Sequence, residues 1–308
     1  MGAFTVEEPD RLDKVLAARP DVGSRRRARE AVETGKVTVD GEICREAGLP
    51  VEAGQTVEVH WNRPGTGKAV QKAKQELRDA GLSIVYEDEH LVAVDKPAGL
   101  LTDTASQEQH RTRDSAYKRL RAWLRTKGDR PRTVHRIDRD TSGVVLFART
   151  DHAERVMRDQ FRAWQPERVY LAVLHGALAD DEVTWEDHTR WNASARLLVK
   201  VPDDAESGKP TVSHIRVIRR YGSVATEVEV RLHTGRRNQI RLQAALRGHP
   251  LVGERLYGEA PRTPAAPRQL LHASRLVVRH PTTGAPLELK APLPADYRKV
   301  TRSLRTPR

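Results

Sequence analysis

One cysteine, Cys44, in 308 residues leaves no partner for an internal disulfide, and so excludes the stapled scaffold of a small secreted domain. No apolar run approaches the roughly 18 residues that cross a membrane as a helix, which excludes a helical membrane protein. The opening stretch MGAFTVEEPDRLDKVL lacks the basic lead and apolar middle of a secretory signal. These absences together point to the cytoplasm. Solenoid-period repeats are missing, and the one biased stretch, EAPRTPAAPRQ, reads as a surface loop. No G-x-S-x-G elbow surrounds Ser142, which argues against a serine hydrolase. His135 and its two neighbouring carboxylates find no second ligand cluster, so no metal site is expected.

What is present is positive charge. Lys and Arg number 54 against 42 Asp and Glu, a formal net charge of +12, which favours a polyanionic partner, above all nucleic acid. At twice the length of a common domain, the chain is expected to hold two. Leu12, Val15 and Leu16 recur at helical spacing, and SRRRAREAVETG predicts a second helix capped by Ser24 and ended by Gly35. The alternations KVTVDGEI and GQTVEVHW, with an Asp40-Gly41 turn, predict a small sheet. Arg25, Arg26, Arg27 and Arg29 crowd one and a half helical turns, which suggests an RNA-facing surface, although a merely soluble helix has the same look. The stretch from Asn62 to Gly81 has Pro, two Gly and several Lys with few large apolar residues, and reads as an exposed linker.

Beyond it strands and helices mix. LSIVYEDEHLVAVDKPAGL predicts two strands around an acidic turn, and Tyr117, Leu120, Trp123 and Leu124 share one face of a helix. Another helix begins near Asp151, with Glu154 three residues on and with Val156, Met157, Phe161 and Trp164 expected in the core. VATEVEVRLHT alternates Val224, Val228, Val230 and Leu232 with polar residues, as a half-buried strand does.

The densest chemistry lies in HRIDRDTSGVVLFA, where a polar cluster stands at the mouth of an apolar strand, Val144 to Ala148, entered through a turn at Ser142 and Gly143. A carboxylate flanked by Arg136 and Arg139 should stay ionised, since an opposite charge within roughly 4–6 Å lowers an Asp pKa by about 1 to 3. It would then serve as nucleophile or base. Taken alone, Asp138 and Asp140 suit a capped, salt-bridged loop equally well.

The separated stretches IVYEDEHLVAVDKPAGL, HRIDRDTSG, RVYLAVLHG and VEVRLHTGRRNQIRLQAALRGHPLVGERLYG occur in an order and spacing that resembles pseudouridine synthases of the RluA/RluD type. About fifty residues, from Arg11 to Val59, resemble the αL RNA-binding domain first described in ribosomal small-subunit protein four. The double resemblance implies an RNA-binding domain over residues 1–61, a linker over 62–81 and a catalytic domain over 82–305. It implies an α+β fold with a mixed, largely antiparallel sheet flanked by helices. It also implies a monomer that isomerises uridine in structured RNA without metal or cofactor. Large-subunit ribosomal RNA is the leading target, with transfer RNA as an alternative; a non-catalytic ribosome-assembly factor on the same fold is the competing class.

Residue by residue, the resemblance makes Asp138 the catalytic aspartate of HR-x-D, Tyr170 the tyrosine against the target base, and Arg241 the arginine that pairs with Asp138. Arg136 and Arg139 would contact RNA and help extrude the uridine, Arg236 would meet a phosphate, and Arg25, Arg26, Arg27 and Arg29 would add affinity through the N-terminal module. Lys96, Pro97 and Gly99 match a K-P-x-G turn and read as scaffold. Gly235 and Arg236 are expected to open a helix that Gly248 ends, and Gly143 and Gly253 to serve tight turns. Arg237-Asn238 stands where Thr-His is frequent, Gln243 where His is common, and LLTDTA where a His-Pro pair is frequent.

Overall fold

The structure is a computed structural model in which residues 3–61, 72, 75–79, 81–104, 113–258, 261 and 264–305 are described. Most of the expected linker and part of EAPRTPAAPRQ lie outside the described residues. The chain divides into two compact units, residues 1–80 with 118–131, and residues 81–117 with 132–308. No described helix is long and apolar enough to cross a membrane.

In the first unit, helices Leu12–Ala17 and Arg25–Glu33 pack with a four-stranded sheet ordered Phe4–Thr5, Thr56–Val59, Val37–Val39, Glu42–Cys44. Leu12, Leu16, Ala28, Val32, Val37 and Val57 fill its core. Ser24 Oγ accepts from Arg27 N at 3.3 Å, the expected cap, and Asp40 and Gly41 adopt φ of 52° and 85°, the paired left-handed conformation of a two-residue hairpin turn. Asp13 is buried and clamped by Arg11 at 3.1 Å and Arg29 at 3.0 Å. Arg29 therefore has an internal partner that its place in a basic run did not reveal.

The second unit is built on an eleven-stranded mixed sheet. Strand Ser142–Ala148 is apolar and buried along its whole length because it lies between Leu91–Lys96, antiparallel, and Leu271–Arg279, parallel. Strand Glu167–His175 lies on the other side of Leu271–Arg279, followed by Ala225–Leu232, both pairs antiparallel. Ser142 and Gly143 belong to the strand and do not form the expected turn. Gly143, at φ +119°, pairs with Ala273, and a Cβ there would stand 2.2 Å from the Ala273 carbonyl oxygen. The glycine is required by close strand approach. Gly253 behaves similarly: its missing Cβ would meet the Arg268 carbonyl oxygen at 2.0 Å.

Helix Asp151–Arg162 begins at the expected residue: Thr150 is the cap, accepting from Ala153 N at 3.1 Å, and Asp151 and Glu154 occupy the first turn. Met157 is buried, with Val156 and Phe161 packed alongside. Trp164 is not part of the core. The chain reverses there at φ 57°, beyond the helix end, and the indole lines a cavity. Val224, also expected on the buried face, is 49% exposed because it precedes the strand; Glu227 is buried instead, accepting the Tyr221 hydroxyl at 2.6 Å.

Candidate active site

The loop carrying Asp138 is held by its backbone on both sides. Thr102 Oγ1 donates to Ile137 O at 2.9 Å, and the buried Lys96 ammonium donates to the carbonyls of Arg139, Leu100 and Pro97 at 2.9, 2.7 and 2.9 Å. Burial pushes the Lys96 pKa down to about 7, opposed by the charges of Asp138 and Asp140. His135 stacks on Phe161 with ring centres 4.5 Å apart, and its Nε2 accepts from Leu146 N at 2.9 Å. Burial pushes its pKa down to about 3, and the Arg168 charge acts the same way. A neutral imidazole already committed to the backbone is a staple that fixes the loop's entry, not a proton carrier.

Asp138 then faces a cavity of 270 Å³ whose walls include Arg136, Tyr170, Arg236, Asn238 and Arg241. Its side chain keeps 20% of its surface open. Arg241 comes from helix Gln239–Leu246, which begins after Asn238 and not at Gly235 or Arg236; Gly248 follows its end at φ +74°. Asn238 adopts the left-handed conformation at φ 58°, which asparagine tolerates better than most residues. The neighbouring Gln239 ties the preceding loop, accepting from Thr234 Oγ1 and Arg236 N and donating to Val212 O and Ser213 Oγ, all at 2.9 Å.

The principal partner of Arg241 is Glu254. Its Nε and Nη2 donate to the two Glu254 oxygens at 2.8 and 2.6 Å, whereas its Nη1 lies 3.9 Å from Asp138 Oδ2. The expected pair with Asp138 is therefore present but secondary, and a carboxylate from a distant turn orients the guanidinium. Glu254 also accepts from the N–H groups of Arg255 and Leu256 at 2.9 and 2.8 Å. Burial works against its charge, but Arg241 and these N–H groups hold it below the usual carboxylate range.

Asn238 makes the close contact with Asp138. With its amide nitrogen toward the acid, the orientation that avoids facing a carbonyl oxygen onto a carboxylate, it donates to both Asp138 oxygens at 3.0 and 2.8 Å, and its oxygen accepts the Tyr257 hydroxyl at 3.1 Å. Tyr257 is in turn fixed by Leu198 N at 2.8 Å.

Burial raises the Asp138 pKa above the ordinary value, although Arg241, Arg136, Arg237 and Lys96 all oppose it. This reverses the sequence expectation of a carboxyl held low by flanking arginines. Desolvation outweighs charges that stand at a distance, and Arg139 is turned away: it chelates Asp140 at 3.0 Å, with its side chain 63% exposed. Tyr170 reaches the cavity from strand Glu167–His175 at a register shift, where Val169 pairs with Arg275 and Tyr170 with Ala273, so that Ser274 is bulged. Burial pushes its phenol up to about 12, against the Arg168 charge and with that of Asp138, so the hydroxyl stays protonated at neutral pH.

Five of the expected residues, Asp138, Tyr170, Arg241, Arg136 and Arg236, thus line one cavity. Arg139 is not among its walls. Arg25, Arg26 and Arg27 are exposed on the helix of the first unit, with Arg27 over the Trp61 ring at 4.8 Å. Glu254, Asn238 and Tyr257 were not proposed as site residues from sequence. The first lies in a Gly-flanked turn where an acid looks like an ordinary cap. Asn238 was visible as an unusual residue next to Q-I-R, but its role depends on a backbone conformation that pattern does not encode.

Residues 90–246 match the model of the RNA pseudouridylate synthase family, and residues 10–57 that of the S4 domain. The chain belongs to the RNA pseudouridylate synthase family. It is 33% identical over 303 residues to ribosomal large subunit pseudouridine synthase D of Pseudomonas aeruginosa, covering 93% of this chain and 89% of that one. It is 34% identical over 310 residues to the protein of the same name in Xanthomonas campestris, covering 96% and 89%. Among solved structures, human RNA pseudouridylate synthase domain containing 4 shares the fold, with a TM-score of 0.60 at 20% identity over 77% of this chain and 97% of that one. The chain is a pseudouridine synthase with an N-terminal S4 RNA-binding domain and an α+β catalytic fold.

Proposed function

We propose that this synthase isomerises uridine in large-subunit ribosomal RNA in the cytoplasm, as a monomer, with Asp138 as the reacting group, Arg241 holding the acid's charge and Tyr170 against the base. The observation that carries the reading is the convergence of Asn238 and Arg241 on a partly open Asp138 carboxylate in the cavity that Tyr170 walls.

The chemistry asks three things of such a cleft. The glycosidic bond must break, the freed uracil must turn, and carbon five must bond to the sugar's anomeric carbon and give up its proton while the released nitrogen gains one. An ionised Asp138 serves the first step either by attacking the anomeric carbon or by removing a neighbouring sugar proton. Two N–H bonds from Asn238 and the Arg241 charge favour the anion without blocking its open edge. The protonated Tyr170 ring offers a flat wall along which a detached base can turn while its hydroxyl remains a donor. The uridine must leave its stack to reach the acid, at a cost of a few kcal/mol, and Arg136 and Arg236 at the rim are placed to hold the displaced strand. Names of the relatives support the ribosomal target; the exposed arginines of the S4 unit suit the same polyanion.

The test is tritium release from large-subunit ribosomal RNA labelled at carbon five of uridine, combined with RNA-binding measurements. Wild type is expected to release tritium and Asp138→Asn to release none while binding RNA nearly as well. Turnover by Asp138→Asn refutes the assignment of the acid; no release by wild type refutes the ribosomal target.

A further inference from the structure

Beside the cavity that holds Asp138 lies a larger one of 530 Å³, and the two share a wall of Arg136, Tyr170, Leu232, Gly235 and Arg236. The walls of the second cavity hold Arg136, Arg158, Arg162, Arg168 and Arg236 and no carboxylate. Two of these cations have neighbours on their own helix: Arg158 pairs with Glu154 and Arg162 with Asp159, both at 2.8 Å. Among the described residues no carboxylate pairs with Arg136, Arg168 or Arg236. Arg168 is only 9% exposed, donates to the carbonyls of Leu232 and His233 at 3.4 and 3.1 Å, and leaves its Nε without an acceptor; the Nε of Arg236 is likewise buried and unpartnered. Buried guanidinium charge without a counterion is costly, and an anionic ligand is what relieves it.

The remaining wall is aromatic. The guanidinium carbons of Arg168 and Arg236 lie 5.3 and 5.0 Å from the centre of the Trp164 ring, the indole held outside the core by its left-handed backbone. Gly235 permits this packing: a Cβ there would stand 2.0 Å from Arg168 Nη1 and 3.0 Å from the Trp164 ring. Unpaired positive charge against a flat ring suits a phosphodiester joined to a base, since single-stranded RNA is held through stacking and backbone charge. A nucleotide here would lie one shared wall from the nucleotide at Asp138.

We propose that this second cavity seats the nucleotide adjacent to the isomerised uridine, its phosphodiester on Arg136, Arg168 and Arg236 and its base against Trp164. The inference rests on the reading that the uridine itself enters the Asp138 cavity.

The experiment uses full-length Asp138→Asn protein, in which no turnover intervenes, and two probes: the dinucleoside monophosphate UpU and its uncharged methylphosphonate analogue, titrated by calorimetry. The Asp138→Asn protein is expected to bind UpU about tenfold more tightly than the analogue, the worth of one charge-assisted contact set. Adding Arg236→Gln should lower that ratio, with Arg136 and Arg168 still in place. Adding Trp164→Ala should weaken both probes by about 5- to 150-fold, the range for one base–aromatic stack, whereas Trp164→Phe should retain most of the binding and so exclude misfolding as the cause. Equal affinity for the charged and neutral probes, or a ratio left unchanged by Arg236→Gln, overturns the proposal. Because no isomerisation is read, this failure is distinct from an absence of tritium release, which bears on the target and the acid.

Discussion

Replacing Asp138 by asparagine is expected to make the protein more stable while it abolishes isomerisation. Folding raises the pKa of this carboxyl, chiefly by burial, so the native state binds the proton more tightly than the unfolded chain does. Below the unfolded value, near 3.9, both states are protonated and the group contributes nothing. As pH rises through the interval between the unfolded and native values, the unfolded chain ionises first and the native state loses stability relative to it. Above the native value the penalty is complete. Each unit by which folding raises the pKa corresponds to about 1.4 kcal/mol. In a unit of this size 1 kcal/mol moves the melting temperature by roughly 2–4 °C, so each unit is read as about 3–6 °C. Asparagine mimics the neutral acid and escapes the penalty. Melting curves of wild type and Asp138→Asn from pH 4.5 to 8.5 should diverge with rising pH, the variant melting higher at the alkaline end. A variant that melts at or below wild type at pH 8.5 refutes the reasoning, because the charge would then be stabilised in place by its neighbours.

Glu254→Gln leaves Arg241 buried without its bidentate partner and should cost about 3–5 kcal/mol, seen as a lowered urea midpoint; a change below 1 kcal/mol would show the pair to be dispensable. Asn238→Ala removes both short hydrogen bonds to the Asp138 anion, so kcat/KM at pH 6 should fall about tenfold or more and recover as pH rises, a shift of the acidic limb that a purely structural loss would not give. Gly143→Ala places a Cβ against the Ala273 backbone at φ +119° and should cost at least about 3 kcal/mol, a drop of roughly 6–12 °C in melting temperature; an unchanged melt would contradict the tight strand approach.

Elements with strong local signals were readable from sequence: the Ser24 cap, the Asp40-Gly41 hairpin and the apolar strand after the polar cluster each rest on short-range chemistry. What failed did so for reasons that are not local. Strand Ser142–Ala148 begins two residues before its apolar run because Gly143 is needed for the approach of a strand 130 residues away. Trp164 has helical spacing with Met157 and Phe161, but the helix ends at Arg162 and the indole follows the turn instead of the core. The direction of the Asp138 pKa was misjudged because sequence shows adjacent arginines and does not show burial, and Arg139 faces its other neighbour. That Asp138, Tyr170 and Arg241 share one cavity was foreshadowed by their motifs, whereas Glu254, which orients Arg241, has no motif signal of its own.

The parallel pairing of Ser142–Ala148 with Leu271–Arg279 ties the timing of assembly to chain synthesis. Asp138 and Tyr170 are made long before the strand that lies between their two supporting strands, so a growing chain carries both residues without the sheet that brings them to one cavity. The two supporting strands are therefore joined only once Leu271–Arg279 has entered the sheet.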